Sequence, residues 1–342
     1  MITINYAVKN GGKYIRYFLD SLKTQTYKNF RVNIWDNDSD DDTKEIVRSA
    51  YPEFNLIENP ENIGFWAAME QMINEDKDSK YIICMTDVIL KDDFLENVAA
   101  VMDNDPDCGA LQAKVYRMEL YGRQNKEPRK TNIIDTLGFK LFRSRKLINL
   151  GHGEEDKGQY DSLREIFGVE GAVPVFRREA LESCRINGFI IDPDYRVGPF
   201  GYGDDFDLAW RLRLFGWKHV LSNRVIAYHD RSTTKGYSRG LKDYFKRLKE
   251  RRKIDIQKKR LDWRNTRFTI VKNDYIINVC KDLPWIIARE IAVLGYTLLF
   301  EPGVLAEAGN FIKYLPKMIR KRKEIMAKAK TGPRDMRKWI TR

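Results

Sequence analysis

Cysteine and histidine are scarce in this chain, and their scarcity narrows the chemistry open to it. The four cysteines, Cys84, Cys108, Cys184 and Cys280, lie far apart, with neither the paired spacing of a zinc site nor the density of a disulfide framework. A reducing cytosol is therefore the expected compartment. The three histidines are too few for a histidine-rich metal centre, and any one of them is first an ordinary core or surface residue. There is no internal repeat and no low-complexity tract, which excludes solenoid and repeat architectures. No apolar run reaches the ~20 residues of a spanning helix. Residues 283–288 and 291–300 are strongly apolar, but Arg289-Glu290 interrupts them, and Pro284 and Pro302 stand near their ends. Met1 leads directly into a strand-like run with no charged n-region or apolar h-region, so no secretory signal is expected.

What is present describes a soluble globular protein: 342 residues, 43% hydrophobic and 32% charged. That length suits one large α/β domain with a smaller appendage. The net charge of +12 is unevenly spread. Residues 241–342 hold 27 Lys and Arg against 11 Asp and Glu, leaving 34 against 38 in residues 1–240. The basicity belongs to the tail, and it implies an anionic partner there, not a nucleic-acid-binding main domain. The tail has no nucleic-acid recognition motif, so no nucleic acid is expected as partner.

The first half alternates strands and helices. Strands are expected at residues 2–8, 30–35, 55–58 and 81–85, with helices at 14–26, 42–49 and 65–73 between them. The alternation predicts a mainly parallel sheet with helices on both faces. Ligands of such sheets bind at the carboxyl ends of the strands, so the polar residues after each strand are the candidates. Those are Asp36 and Asp38 after the second strand, Thr86 and Asp87 after the fourth, and His229 after a strand-like stretch at 225–228. Each also has a plain structural reading as a turn or cap residue. The densest signal is Gly203-Asp204-Asp205-Phe206-Asp207-Leu208-Ala209-Trp210-Arg211-Leu212. Helix capping accounts for one or two carboxylates at a helix start, whereas three after a flexible Phe-Gly-Tyr-Gly loop look like a device presenting an acid to a substrate.

This cluster resembles the Glu-Asp-x-Asp-Leu-x-x-Arg-Leu signature of family 2 glycosyltransferases with the GT-A fold, especially the rhamnosyltransferase-like branch, with Asp204 in the place of the usual Glu. The resemblance runs over about residues 2–235. It includes Asp36-Asn37-Asp38-Ser39-Asp40-Asp41, Asn62-Ile63-Gly64-Phe65, Met85-Thr86-Asp87, Asp135-Thr136-Leu137-Gly138-Phe139, the 151–161 loop and Gly171-Ala172, in that order. A weaker echo follows at Arg264-Asn265-Thr266-Arg267 and Lys272-Asn273. The chain departs at Met69-Glu70, where the family commonly has Asn, and at Met85, where it commonly has an acid. The resemblance implies a Rossmann-like GT-A domain over residues 1–235 and a basic helical extension over 236–342. It implies Asp205 as general base with Asp204 and Asp207 as supporting acids. Asp36, Asp38, Asn62, Gly64, Thr86, Gly171 and Ala172 are implied donor contacts, and Asp87 and His229 the ligands of Mg²⁺ or Mn²⁺. Arg231 and Lys235 would offset diphosphate charge.

The expected activity is inverting transfer of a sugar from a nucleotide-sugar donor, dTDP-β-L-rhamnose by the branch resembled, to a lipid-linked saccharide acceptor in cell-surface polysaccharide synthesis. A catalytically weakened nucleotide-sugar-binding protein and, through the basic tail, a nucleic-acid-binding protein are the other classes. The basic blocks at 246–260 and 317–330, with Trp285, Tyr296 and Trp339, suit an anionic leaflet, so the expected location is cytoplasmic and peripheral on the inner face of the cell membrane.

Overall fold

The computed structural model describes residues 1–120, 127–230 and 251–341. Strands β1 (Ile2–Val8), β2 (Phe30–Asn37), β3 (Asn55–Asn59) and β4 (Tyr81–Met85) alternate with helices α1 (Ile15–Lys23), α2 (Thr43–Ala50) and α3 (Phe65–Glu75). They form the parallel block β3-β2-β1-β4. Every residue of β1 is buried, as expected of a central strand covered on both faces.

Beyond β4 the sheet becomes mixed. β5 (Val88–Leu90), α4 (Phe94–Asn104), β6 (Cys108–Glu119), β7 (Arg129–Thr136), β8 (Phe139–Phe142), β9 (Leu147–Asn149) and β10 (Val175–Arg177) follow in the chain. After β10 come α5 (Arg178–Ser183), β11 (Arg196–Val197), β12 (Phe200–Gly201), α6 (Asp204–Leu214) and β13 (Lys218–His229). The sheet order is β3-β2-β1-β4-β10-β6-β13-β5, with β7 beside β6. β10 runs antiparallel to both of its neighbours, β13 runs parallel to β6, and β5 closes the edge antiparallel to β13.

Side-chain alternation divides the core into two layers. Ile2, Ile4, Tyr6 and Val8 of β1 pack with α1, α2 and α4 on one face, where Tyr6 stacks on Phe18 at 4.4 Å between ring centroids. Ala7, Ile82, Cys84 and Phe176 point to the other face, toward α3 and α6. The second layer also takes Ile325, Met336 and Ile340, so residues from the far end of the chain complete the core.

That end consists of α7 (Ile256–Asn273), α8 (Ile276–Phe300), α9 (Glu307–Lys328), α10 (Pro333–Arg337) and β14 (Ile340–Thr341). β14 pairs with β8, Ile340 opposite Leu141. Charge joins these helices to α6. Lys272 is 1% exposed and lies 2.6 Å from Asp192 and 2.9 Å from Asp207. Lys321 pairs with Asp192 and lies 2.6 Å from Asp194. Arg211 closes on Asp207 at 2.9 Å. Burial alone would raise Asp192 and Asp207, but the surrounding lysines and Arg211 hold both below the usual carboxylate range. Much of the second basic block is thus turned inward, because Lys317 also pairs with Asp194 and Arg322 donates to the carbonyls of Val271 and Asp274.

The two apolar runs form one continuous helix, contrary to the interruption expected at Arg289-Glu290. Glu290 accepts from both Arg289 and Arg267, so the charges are paired beside α7 and do not break α8. Pro284 lies within it. Its buried residues are Asn278, Asp282 and Thr297, while Ile276, Leu283, Ile287, Ile291, Leu294 and Leu298 are exposed at helical three-and-four spacing. The usual polarity of a surface helix is inverted. Asp282 anchors the inward face to Arg145 at 2.9 Å and Arg337 at 2.7 Å. By length and composition α8 could cross a membrane.

Replacing Lys272 by Met keeps most of the volume but strands Asp192 and Asp207 with less compensation. Unpairing a buried charge typically costs about 3–5 kcal/mol. Urea unfolding should show a loss of that order, and a loss below ~1 kcal/mol would show that the network does not hold the helices to α6.

Candidate active site

The carboxyl ends of the strands converge on a cleft of about 710 Å³ lined by Thr86, Asp87, Glu170, Gly171, Ala172, Asp204, Asp205 and His229, among others. Asp87 sits two residues past β4, and His229 is the last residue of β13. Asp87 Oδ1 and His229 Nε2 are 3.2 Å apart. Ligands in adjacent octahedral positions about 2.1 Å from a small divalent cation lie ~3 Å from each other, so this pair fits one such ion. Among the described residues no group of three or more His, Cys, Asp and Glu side chains is gathered for a metal. The remaining positions would fall to phosphate oxygens and water, as is common for Mg²⁺. His229 Nδ1 bonds Asp135 Oδ2 at 2.8 Å, a carboxylate behind the ligand that fixes the ring. Burial alone would lower His229, yet the two flanking carboxylates outweigh it and push it up to about 10. The pocket therefore favours positive charge at this point.

The acids at the start of α6 behave differently from one another. Gly203, with φ of 79°, turns the chain into the helix in the left-handed region open to glycine. Asp204 is 2% exposed and, among the described residues, neither of its carboxyl oxygens has a hydrogen-bond partner. Burial, then the neighbouring Asp205, pushes its pKa up to about 8. Asp205 is half-buried. Burial and then Glu170 push it up to about 7, against the amides of Phe206 and Gly171, which favour the carboxylate. A Cβ at Gly171 would stand 3.1 Å from Asp205 Oδ2, so glycine there keeps the acid's approach open. Asp207 is 1% exposed and belongs to the buried network. Tyr195, Asn273, Lys272 and Arg211 surround it, and it does not line the cleft.

A family model, Glycosyl transferase family 2, matches residues 3–183, more than half of the chain. The chain belongs to glycosyl transferase family 2. No curated protein sequence matches it. Among solved structures, residues 1–349 of S. aureus TarS in complex with UDP is similar with a TM-score of 0.54 at 15% identity, covering 98% of this chain and 91% of that one. GalNAc-T7 with UDP, GalNAc and Mn²⁺ gives a TM-score of 0.53 at 13% identity, covering 73% of this chain. This chain spans about half of its length, 47%. The fold is that of the GT-A glycosyltransferases, with a mixed central sheet and a helical C-terminal region.

Of the donor contacts implied by resemblance to family 2, Thr86, Gly171 and Ala172 line the cleft. Asp36 lies in β2 and is 1% exposed. Its Oδ2 accepts from the Ser39 amide at 2.9 Å, and its Oδ1 is buried with no partner among the described residues. Asp38 is exposed, in the left-handed region, and 3.3 Å from Lys9. Asn62 accepts from the Gly64 amide at 3.0 Å. Gly64 has φ of 84°, and a Cβ there would come within 2.2 Å of the Pro199 carbonyl oxygen. Asp36, Asp38, Asn62 and Gly64 do not line the cleft; Asp38, Asn62 and Gly64 shape turns of the chain. Arg231 and Lys235 lie outside the described residues. Glu70, at the departure from the family pattern, accepts from the amides of Ile190 and Ile191 and pairs with Arg185, so it fastens a loop. The 151–161 loop is likewise pinned, since Lys114 lies 2.8 Å from both Asp156 and Asp161.

Two site residues carried no role in the sequence reading. Asp135 stands in a quoted motif, but its partner His229 is 94 residues away. Glu170 immediately precedes Gly171; its carboxylate accepts from the Ala172 amide at 3.0 Å, and it is the charge nearest in effect to Asp205 after burial.

Asp204 gives a signed test. Its folded pKa lies above the ordinary carboxylate value, so from about pH 4 to about pH 8 the folded state holds a proton that the unfolded chain has released, and its contribution to stability falls as pH rises. Asp204→Asn should be at least ~1 kcal/mol more favourable, relative to the parent protein, at pH 8 than at pH 5. A difference that does not change with pH would place Asp204 as an ordinary ionised cap.

Proposed function

We propose that the protein is an inverting, cation-assisted glycosyltransferase in which Asp205 is the general base. The observation that carries this is Asp205 itself. Its carboxyl group stands on the wall of the cleft that also holds Asp87 and His229, with its pKa held near neutrality, where a base both accepts a proton and is available to do so. Asp205 would take the proton from an acceptor hydroxyl as that oxygen attacks the anomeric carbon from the face remote from the diphosphate, and one displacement inverts the centre. Asp204, protonated at neutral pH, adds no negative charge beside Asp205. Asp87 and His229 would hold the cation, with Asp135 accepting the hydrogen bond from Nδ1–H so that the Nε2 lone pair faces it. A bound cation supplies electrostatic stabilisation of the departing diphosphate.

The place of Asp36 in the Asp-Asn-x-Ser-x-Asp segment supports a donor base with an imide N–H, as in thymine or uracil, since a charged acceptor strengthens that bond. The two similar structures hold UDP, which presents the same imide edge. The ordered succession of rhamnosyltransferase-like motifs supports dTDP-β-L-rhamnose as the donor. A lipid-linked saccharide as acceptor, and a place on the cytoplasmic face of the membrane, are supported by α8. Its inverted polarity leaves six aliphatic side chains on one outward stripe, where a lipid surface would remove them from water. Cell-surface polysaccharide synthesis is the process to which such a transfer belongs.

Asp205→Asn keeps shape but removes basicity, and turnover should fall by at least ~10²-fold, the usual scale for loss of a general base, with donor binding retained. In the parent protein kcat/KM should rise with pH through about 7 as Asp205 loses its proton. A nucleotide-sugar panel scored for nucleoside diphosphate release and anomeric configuration, with and without Mn²⁺, tests the reading directly. Full turnover in Asp205→Asn, or a retained anomeric configuration, overturns it.

The membrane assignment has its own test. The triple variant Leu283→Glu, Ile287→Glu, Leu294→Glu should lose flotation with anionic vesicles while keeping donor hydrolysis in solution. A parent protein that does not float at low salt would refute the surface reading.

A further inference from the structure

The catalytic cleft does not end at the sugar-transfer residues. Lys146, Arg251, Asp262, Thr266 and Arg289 line both it and a second chamber of about 490 Å³ between α7 and α8. The second chamber is completed by Trp263, Arg267, Ala292, Val293, Tyr296, Thr297, Glu301 and Val304. Its polar part is a set of guanidinium groups held by carboxylates. Glu301 takes Arg251 through two donors, at 3.0 and 3.1 Å from Nε and 3.0 Å from Nη2. Glu290 is shared by Arg267 and Arg289. Arg267 lies 3.9 Å above the Trp263 ring. Three arginines with fixed planes, plus Lys146, therefore surround a cavity whose own carboxylates are Asp262 and Glu301. A guanidinium has five N–H donors, and these pairings leave several on each arginine for a further acceptor. Asp262 faces Arg251, Arg289, Arg267 and Lys258, so cations outnumber carboxylates around the chamber.

The apolar part is continuous with the outside. Ala292, Val293 and Tyr296 belong to α8, the helix whose opposite stripe is the exposed Ile276, Leu283, Ile287, Ile291, Leu294 and Leu298. One element thus borders the reaction cleft's basic extension on one side and presents an aliphatic surface on the other. Neither feature alone specifies a ligand. Together they describe a molecule with an anionic head and a hydrocarbon body, reaching the cleft from a lipid surface.

We propose that this chamber is the subsite for the phosphate or diphosphate head of an amphiphilic, lipid-borne acceptor, with Arg251, Arg267 and Arg289 as its anion ligands. The proposal rests on reading the adjoining cleft as the site of glycosyl transfer, and it names the chemistry of the acceptor's anchored end. Arginine suits this task because its planar fork pairs two phosphate oxygens at once and is always charged.

The test separates the chamber from the donor site by measuring binding in excess chelator and without nucleotide sugar. Farnesyl diphosphate below its critical micelle concentration is the amphiphilic probe and inorganic pyrophosphate the soluble one. The parent protein should bind farnesyl diphosphate at least ~10-fold more tightly than pyrophosphate. Loss of two charge-assisted contacts in Arg267→Gln/Arg289→Gln should weaken farnesyl diphosphate by at least ~10-fold. Val293→Trp, which fills the chamber and removes no charge, should weaken it similarly and controls for any misfolding of the arginine variant. Arg320→Gln/Lys323→Gln, on exposed positions of α9, should change nothing. Metal-dependent release of nucleoside diphosphate from a donor should survive in Val293→Trp, whose position borders the chamber and not the reaction cleft, so its loss in the parent protein would count against the cleft and not the chamber. Equal binding of pyrophosphate and farnesyl diphosphate would overturn the amphiphile. Undiminished farnesyl diphosphate binding in both chamber variants would overturn the subsite, as would a chain that covers its α8 stripe by dimerising and binds no probe.

Discussion

The buried pairing of Lys272 and Lys321 with Asp192, Asp194 and Asp207 is the constraint on which the rest of this molecule depends. Each of these charges would be costly to bury alone, and the network is tolerable only when α7 and α9 are docked against α6. Docking therefore makes the helical region part of the same core layer as α6. Asn265 extends the effect by donating to the carbonyls of Tyr195 and Tyr202 at 2.7 Å, which fixes the loop leading into Gly203. The first turn of α6, and with it Asp205, is held from behind by residues 60 and more positions later in the chain.

Against that rigid backing, the front of α6 is left electrostatically uncomfortable. Three acids begin the helix, and only Asp207 is neutralised by cations. Burial raises both Asp204 and Asp205 toward or past neutrality, helped at Asp204 by Asp205 and at Asp205 by Glu170. Such a placement lowers stability at high pH and holds Asp205 near neutrality, as is common for carboxylates at reactive sites. The opposite arrangement holds across the cleft, where Asp87 and Asp135 bracket His229 and favour a cation.

The outer surface follows the same logic of matching group to surroundings. α8 turns Asn278, Asp282 and Thr297 inward because Arg145, Arg337 and the backbone offer partners there, and turns its aliphatic side chains outward. In water that orientation gains nothing. It becomes favourable where the outside is apolar, and the lipid surface and lipid-borne substrate proposed above would supply such surroundings.

The sequence by itself determined the parallel block and the catalytic candidates. Period-two and period-3.6 patterns are local, and the positions of Asp36, Asp87, Asp205 and His229 at strand ends or a helix start follow from them. Only the tertiary structure decided which acids act alone. Arg211, four residues on, already marks Asp207 in the sequence, but Lys272, which reaches Asp207 and not Asp205, does so from 65 positions away. Asp135 gained its part from a histidine 94 positions away, and Glu70 turned out to brace a loop. The two apolar runs that Arg289-Glu290 divides on paper are one helix, because Arg267 from α7 helps to carry the charge of Glu290. Burial and long-range ion pairing are properties of the folded packing, and a linear pattern of residue types does not contain them.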